Sequence, residues 1–320
     1  MIIVDFERKH AEAAAELAMA GYEDERRKVP SLPEVTELPD LTPFADNCLG
    51  VAAFEGEKML GFLCCHEPWE HAFQSLAKGT FSPIHAHGSV KENRGKVYQR
   101  MYQAAAEKWV KKGIAYHSIA LYAHEETALS AFFDYGFGRR CADAIRMMEP
   151  LGNYTPPVGI TFKEEDGKEK EQVNRLHRML KEHMGKSPCF MGYPVREEEE
   201  DTEQLQEEKS GSRFFTAMDG EKVAAYVEVT DRGENFATQA EDMRNICGAY
   251  CLPEYRGRNI YQGLLDYMIL CLKKEGFLRL GVDYESFNPT ANVFWPKYFE
   301  IYTKSVVRRI DECALEWQRY

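Results

Sequence analysis

Apolar positions recur at helical spacing in two long stretches of the chain, with short strand-like runs around them. One stretch ends at Gly276 and places on a single helix face the side chains of Leu264, Leu265, Met268, Ile269 and Leu272. The other stretch ends at Gly113 and aligns in the same way Met101, Tyr102, Ala105 and Trp109. Glycine just past a periodic stretch is typical of a helix end. The pattern therefore predicts amphipathic helices that alternate with short strands.

The same order of elements occurs twice, and short sequence matches mark the repeat. Residues 53–58 (AFEGEK) correspond to residues 217–222 (AMDGEK), and VYQ at 97–99 corresponds to IYQ at 260–262. A period close to half of the 320 residues indicates two copies of one domain rather than a solenoid of short repeats. Pro156 and Pro157 interrupt regular structure between the copies. We therefore predict domains at residues 1–152 and 153–320.

Each copy predicts the same α/β (α+β) layout. An opening strand at residues 2–6 or 158–162 precedes helical segments, and a hairpin then turns at Glu55-Gly56 or Asp219-Gly220. A further strand leads through a loop into the long helix. Another strand, a second helix and a final strand complete the copy.

The charge balance and the cysteine count narrow the class of protein. With 40 Lys and Arg against 52 Asp and Glu, the formal net charge is −12, whereas binding to a nucleic-acid backbone needs a basic face. No apolar run approaches the roughly 18 residues that a membrane helix needs, and the first residues lack a signal-peptide pattern. Nine cysteines, an odd number, favour reduced thiols. We expect a cytoplasmic protein that binds neither nucleic acid nor membrane.

The loop before the second long helix carries the groups that would hold a diphosphate. Backbone N–H groups at a helix start lack partners and carry partial positive charge, so they attract phosphate oxygens. Arg256 and Arg258 add cationic donors, and Gly257 lets the main chain approach closely. Asn259 is the non-glycine residue that most readily adopts a left-handed conformation. A solvated basic turn is the alternative interpretation.

This loop and its flanks resemble the GNAT family of N-acetyltransferases. The family pattern is a strand ending in Pro-Glu-Tyr-Arg-Gly, a loop R/Q-x-x-G-x-G/A and a long helix, and residues 253–257 read PEYRG. Asn259 and Tyr261 stand where the family carries glycine and glycine or alanine. The first copy, ENRGKVY at 92–98, has a loop one residue shorter. The resemblance implies two tandem GNAT-like acyl-CoA N-acyltransferase domains, each a mixed, largely antiparallel sheet flanked by helices.

A second family motif, N-x-x-A-x-x-x-Y-x-x-x-G-F, begins at Asn288 in the second copy. Trp295 occupies the position at which many members carry a tyrosine that protonates the leaving thiolate. A phenol suits that role because its pKa, near ~10, lies close to that of a thiol. In the first copy Glu125 replaces the asparagine and Phe132 the tyrosine. Neither copy therefore carries the expected hydroxyl at this position.

The resemblance leaves several candidates for proton transfer. Tyr298, one helical turn after Trp295, and Tyr302 just beyond it both offer a hydroxyl, with core packing as the alternative for each. A base must remove the amine proton before attack. The sequence does not separate the carboxylates that qualify, which are Glu228, Glu241, Asp242 and Glu285. We assign the catalytic roles to Tyr298 and Glu228 as hypotheses.

The resemblance also implies acetyl-CoA as the acyl donor. Its pantetheine arm would lie along the strand at 245–252 and hydrogen-bond the main chain of Ala249, Tyr250 and Cys251. Its diphosphate would bind the loop and helix start formed by Arg256, Gly257, Arg258, Asn259, Ile260 and Tyr261. Asn288 would face the lower pantetheine.

These expectations lead to an acetyl-CoA-dependent N-acetyltransferase that modifies a small-molecule amine in its second copy. The alternative is a non-catalytic acyl-CoA-binding or sensor protein with degenerate domains, which the missing tyrosine and the altered glycines favour. A different acyl group is a third possibility, because fold alone does not settle what is transferred. Both a monomer with paired domains and a homodimer fit the sequence.

Cysteine and acidic clusters give weaker signals. Cys247 and Cys251 fall on one predicted strand, about 13 Å apart, which is too far to share a metal ion without a bend. We expect no metal site. Cys251 as a nucleophile is less favoured than a buried apolar thiol. The run EEEED at 197–201 suits a solvated segment or the recruitment of a cationic amine.

Overall fold

The structure is a computed structural model that describes residues 1–152, 154–192 and 211–317. The acidic run at 197–201 lies outside the described residues. In the first copy the elements are β1 (Ile2–Asp5), α1 (Ala11–Lys28), α2 (Thr42–Asp46), β2 (Val51–Glu55), β3 (Lys58–Leu63), β4 (Gly79–Ser82), β5 (His87–Ser89), α3 (Arg94–Lys111), β6 (Tyr116–Tyr122), α4 (Glu126–Phe133), β7 (Gly138–Arg139) and β8 (Cys141–Met147).

Among the described residues, the second copy follows the same general order of strands and helices. Its elements are β9 (Ile160–Glu164), α5 (Lys170–Gly185), β10 (Arg213–Asp219), β11 (Lys222–Thr230), β12 (Met243–Cys251), α6 (Ile260–Lys274), β13 (Arg279–Glu285), α7 (Pro289–Phe294), β14 (Glu300–Ile301), β15 (Thr303–Arg309) and α8 (Glu312–Trp317). One strand, β12, stands where the first copy has β4 and β5, and a helix, α8, follows the last strand. The predicted hairpins are confirmed, because β2 pairs antiparallel with β3 and β10 with β11.

The strands form mixed, largely antiparallel sheets, as predicted. One sheet has the order β1-β2-β3-β5, a second has β4-β6-β15-β7, and a third has β14-β8-β13-β12-β11-β10-β9. The pairs β4–β6 and β12–β13 are parallel. Helices flank these sheets, so the predicted fold class is confirmed.

The chain divides into two compact units that are discontinuous in sequence. The first unit comprises Met1–Asp143, Glu285–Phe287 and the described chain from Ile301 onward; the second comprises Ala144–Tyr284 and Asn288–Glu300. The last long strand, β15, therefore belongs to the first unit, where it pairs with β6 from Thr303↔Tyr122 to Arg309↔Tyr116. The division of the sequence at residue 152 stays a prediction about the two repeats.

Helix burial follows the predicted apolar faces. In the first unit Met101, Tyr102, Ala105 and Trp109 of α3 are buried, and in the second unit the five apolar residues predicted for α6 are buried as well. Burying each of the Leu, Ile and Met side chains among them stabilises the fold by about 1.5–3 kcal/mol. Among the described residues, none of the helices combines the length and apolar character needed to cross a bilayer.

The helices α5 and α6 cover opposite faces of the second unit's sheet. Phe162 of β9 lies against Gly263 of α6, whereas Tyr226 of β11 stacks against His177 of α5, with ring centroids 4.7 Å apart. Ala225 shares the face of Phe162 through the strand register, and Tyr226 is its neighbour on the other face. Residues of α5 and residues at the start of α6 line one cavity at the place where the sheet opens.

Candidate active site

The sheet of the second unit opens between β12 and β13. These parallel strands pair only from Met243↔Arg279 to Ile246↔Val282, while β12 keeps its antiparallel pairing with β11 as far as Cys251. The edge of β12 at residues 247–251 therefore faces a gap, which we call the second wedge. The strands are spread apart here, as binding of a donor along β12 requires.

A cavity of about 500 Å³ lies along the second wedge and the start of α6. Eight residues that the sequence assigns to donor binding line it: Ala249, Tyr250, Cys251, Arg256, Gly257, Ile260, Tyr261 and Asn288. Arg258 and Asn259 belong to the same loop but are not among the lining residues. Leu180 and His183 of α5 complete the wall on the other side.

The loop before α6 leaves the helix start open. Gly257 and Asn259 adopt left-handed conformations, with φ of 72° and 58°, so the conformation predicted for Asn259 is confirmed. The first backbone bond of α6 runs from the Gly263 N–H to the Asn259 carbonyl at 3.0 Å, and the Asn259 side chain makes no cap bond. The N–H groups of the preceding turn, at 260–262, therefore have no acceptor within the helix, and their partial positive charge favours an anion.

Two arginines stand beside this helix start in different ways. Arg256 lines the cavity, and its Nε donates to the Cys251 carbonyl at 2.9 Å while its guanidinium lies over the Tyr250 ring. Arg258 instead lies over the ring of Tyr255, 5.5 Å from the centroid. Of the pair, Arg256 is the cation placed on the cavity wall.

Asn288 is buried at the opposite side of the cavity and caps α7. Its Oδ1 accepts from the Thr290 N–H at 3.2 Å and from the Thr290 hydroxyl at 2.8 Å, and His183 Nε2 lies 3.3 Å from the same oxygen. This side chain thus fixes the start of α7 against α5. Its contact with pantetheine stays a prediction.

Glu228 lies close to the second wedge with a partner that the sequence did not suggest. The carboxylate is buried, and Oε2 lies 3.0 Å from Nε2 of His177 on α5. A Cβ added to Gly248 would lie 2.9 Å from Glu228 Oε2 and 3.4 Å from His177 Nε2. The pair therefore covers Gly248, which lies within the wedge segment of β12. Only strand register could have revealed this, because β11 places Glu228 opposite Gly248.

The two tyrosines predicted as proton donors are not among the residues that line the cavity. Helix α7 ends at Phe294, and Pro296 falls in a short 3-10 turn, so Tyr298 does not continue that helix. Tyr298 is half-buried and packs on Phe294, with ring centroids 5.1 Å apart. Tyr302 is fully buried in the first unit. The catalytic role of Tyr298 stays a prediction.

The three remaining carboxylate candidates are also not among the residues that line the cavity. Glu285 belongs to the first unit, where it pairs with Arg140 at 3.3 Å. Asp242 pairs with Arg279, and Glu241 is exposed. Among the candidates considered, Glu228 is therefore the one next to the wedge.

The first unit has a corresponding opening that side chains fill. Pairing of β4 with β6 ends at Ser82↔Ile119, and β5 pairs with β3 instead, which leaves a first wedge between residues 87–89 and 120–122. His87 spans it: Nε2 donates to the Ala120 carbonyl at 2.6 Å, and Nδ1 accepts from the Tyr98 hydroxyl at 2.9 Å. Burial lowers the pKa of His87 to about 4, so its ring is neutral.

The helix start of the first unit also differs from the sequence expectation. Residues 94–96, which match the second copy's loop in sequence, form the first turn of α3 rather than a loop. Arg94 donates to the carbonyls of Ser89 and Val90 at 2.9 and 3.2 Å and forms an ion pair with Glu125. The Arg94 guanidinium at this helix start is thus already paired with a carboxylate of the protein.

Comparisons with known proteins agree with this geometry. Residues 176–299 match the model of the acetyltransferase (GNAT) family. The matched residues lie within the second copy, which therefore resembles a GNAT domain. A GCN5-related N-acetyltransferase from Sphaerobacter thermophilus is similar over 97% of this chain and 95% of its own, with 13% identity and a TM-score of 0.54.

A tandem GNAT protein from the clavulanic acid biosynthesis pathway aligns with 96% of this chain and 98% of its own, with 13% identity and a TM-score of 0.47. A search of curated protein sequences finds no match. The family model and the first of these structures support a GNAT fold in the chain.

Proposed function

We propose that the protein is an acyl-CoA-dependent N-acetyltransferase that transfers acetyl to the amine of a small molecule in its second unit. The observation that carries this proposal is one cavity that joins an open strand edge at 247–251 to a helix start whose first N–H groups have no acceptor within the helix. Acetyl-CoA has an arm with amide groups and a diphosphate, and these two surfaces would bind them in that order.

The residues present fit such a donor. Ala249, Tyr250 and Cys251 line the cavity beside the open strand edge, and their main-chain atoms would hold the arm. The N–H groups at 260–262 and the guanidinium of Arg256 would neutralise the diphosphate, and Gly257 leaves room for it. Bound acetyl-CoA supplies an activated thioester carbonyl.

The acceptor amine requires a base near the thioester. Glu228 and His177 meet over Gly248 in the wedge, and Glu228 would accept the proton that leaves the attacking nitrogen. A C–N bond then forms, the C–S bond breaks, and the leaving thiolate takes a proton from solvent. The acceptor would approach from the α5 side of the sheet, because His177 lies on that helix.

The first experiment separates binding from catalysis. Purified protein is titrated with acetyl-CoA while its melting temperature is recorded, and a tight site raises the midpoint by mass action. Release of free CoA is then measured across a panel of primary amines. No shift at millimolar acetyl-CoA would refute the proposal, and a shift without CoA release would support a non-catalytic acyl-CoA-binding protein, which Trp295 at the tyrosine position favours.

Glu228→Gln tests the assigned base. We expect CoA affinity to stay within about twofold and thiol release to fall by 10²–10⁴-fold, the usual contribution of a positioned base. Glu221→Gln, on the exposed hairpin of β10 and β11, is the matched control and should leave both unchanged. Equal turnover by Glu228→Gln and the control would remove Glu228 from the mechanism.

A further inference from the structure

Tyr261 departs from the family pattern at a sensitive position. It is the second residue of α6, where the family carries glycine or alanine, and it is one of the residues that line the cavity. The ring meets Phe294 and Trp295 edge to face, with centroids 5.2 and 6.0 Å away. These contacts fix the ring against α7 and its following turn.

The hydroxyl of Tyr261 is held without a protein partner. The oxygen is buried, and no hydrogen-bond partner for it is found among the described residues. Burial, with a smaller contribution from the nearby Cys251 thiol, raises the pKa of Tyr261 well above its usual value, so the group stays protonated. A buried O–H that lacks a partner is destabilising, which makes it an available donor toward whatever enters the cavity.

The location of this hydroxyl separates it from the reacting centre. It lies near Cys251, the last residue of β12, whereas the strands meet at Ile246↔Val282. Five residues of strand span about 16 Å. A donor whose thioester lies near the junction of the strands and whose diphosphate lies on the start of α6 would therefore pass Tyr261 with the middle of its arm.

We propose that the Tyr261 hydroxyl donates a hydrogen bond to an oxygen of the donor's pantetheine arm, so that the cavity selects donors that carry the complete arm. This inference rests on the proposed function, since it concerns the donor of the same site. Tyr261 is in this account a binding and specificity residue. The bulk that replaces the family's small residue thus supplies a polar contact.

The test compares fragments of CoA on Tyr261→Phe, which keeps the ring and removes the hydroxyl. Calorimetry gives the Kd for CoA, for 4′-phosphopantetheine and for 3′,5′-ADP. We expect the first two to bind about tenfold more weakly to the variant and 3′,5′-ADP to bind unchanged, because one hydrogen bond to the arm is lost. Tyr267→Phe, further along α6 and stacked on Phe162, is the matched control and should change none of the three.

The outcomes distinguish this inference from the function that it assumes. If wild-type protein binds none of the three ligands, the proposed function fails. If wild-type protein binds CoA and Tyr261→Phe binds it equally well, the contact is refuted while the function stands. Equal weakening of 3′,5′-ADP, or a fall in the melting temperature of the unliganded variant, would assign the hydroxyl to the diphosphate or to the fold and would also refute it.

Discussion

The two wedges share a backbone arrangement and differ in what fills them. In the second unit residues 247–251 border a cavity, and in the first unit His87 bridges the gap to Ala120 and Tyr98. His87 and Ala249 occupy equivalent positions in the two units. His87 lies opposite Leu63 of β3, and Ala249 lies opposite Val227, the equivalent residue of β11. The second wedge is thus bordered by the methyl group of Ala249, whereas the first wedge is closed by the imidazole of His87.

The helix starts differ in the same sense. Asn93 and Asn259 both adopt a left-handed conformation just before the long helix, so the turn is kept in both copies. In the second copy this turn follows Arg256 on the cavity wall, whereas in the first the ion pair of Arg94 and Glu125 occupies the helix start. The backbone opening is therefore common to both units, and we expect the side chains to decide which unit can hold a donor. We therefore expect one donor per chain.

The largest expected effect comes from placing a histidine in the second wedge, at the position equivalent to that of His87 in the first wedge. Ala249→His places an imidazole at the register position that His87 occupies in the first unit. We expect CoA binding to weaken at least 100-fold, because the ring would take the space of the arm and satisfy the strand edge. Gln239→His, at an exposed position outside the wedge, is the control. A Kd within threefold of wild type, measured by calorimetry, would show that the wedge is not the donor site.

The filled first unit should also respond to acid. Burial lowers the pKa of both His87 and His117 to about 4, below the ordinary value of about 6.5. The unfolded chain therefore takes up protons on these two histidines below about pH 6.5, whereas the folded unit takes them up only near pH 4. The free energy of unfolding therefore decreases as the pH falls through this window. Within this window each histidine lowers the free energy of unfolding by about 1.4 kcal/mol per pH unit, which amounts to about 2 kcal/mol at pH 5 relative to pH 7.

Denaturant unfolding at pH 7 and pH 5 measures this loss. In His87→Asn the group no longer titrates, so the difference between the two pH values should shrink by about 2 kcal/mol, even though the variant is less stable overall. Exposed His71→Asn is the control and should leave the difference unchanged. An undiminished pH dependence in His87→Asn would mean that the folded protein does not hold the His87 imidazole as a neutral ring.

A smaller effect distinguishes the two arginines of the second loop. Arg256→Ala should weaken CoA binding about tenfold, because a charge-assisted contact on the cavity wall is removed. Arg258→Ala should weaken it about twofold, since that guanidinium lies over Tyr255 and acts on the diphosphate only at a distance. Calorimetry at two salt concentrations measures both, and equal effects would mean that the ligand reaches further along the loop than the cavity indicates.

Much of this architecture was predictable from the sequence, because it depends on local pattern. The faces of α3 and α6, the hairpins and the left-handed Asn259 follow from periodicity and residue type. The position of β15 beside β6 was not predictable, because a strand pattern does not specify its partner. His87 was missed for the same reason, since a single histidine gains its role only from strand register.

The sequence match of residues 94–96 with the second loop was misleading for a physical reason. The residue types agree, but in the first copy the left-handed turn at Asn93 comes before them, so they join α3. The pairing of Glu228 with His177 likewise depends on packing of α5 on β11 and β12, which no spacing in the sequence reveals.

The smallest expected effect concerns Tyr298, and it tests whether the second copy keeps this tyrosine for catalysis or for packing. Its counterpart at the same repeat offset is Tyr135, which packs on Tyr102 and accepts from Gln103 Nε2 at 2.6 Å in the unit whose wedge is closed. The presence of this tyrosine in the unit whose wedge is closed favours a packing role over the catalytic role that the sequence suggests for Tyr298. Tyr298→Phe should therefore change CoA release by less than about twofold, and Tyr135→Phe should leave it unchanged. A tenfold or greater loss of CoA release in Tyr298→Phe, with CoA affinity intact, would instead identify its hydroxyl as the proton donor and make the two copies differ in catalysis as well as in binding.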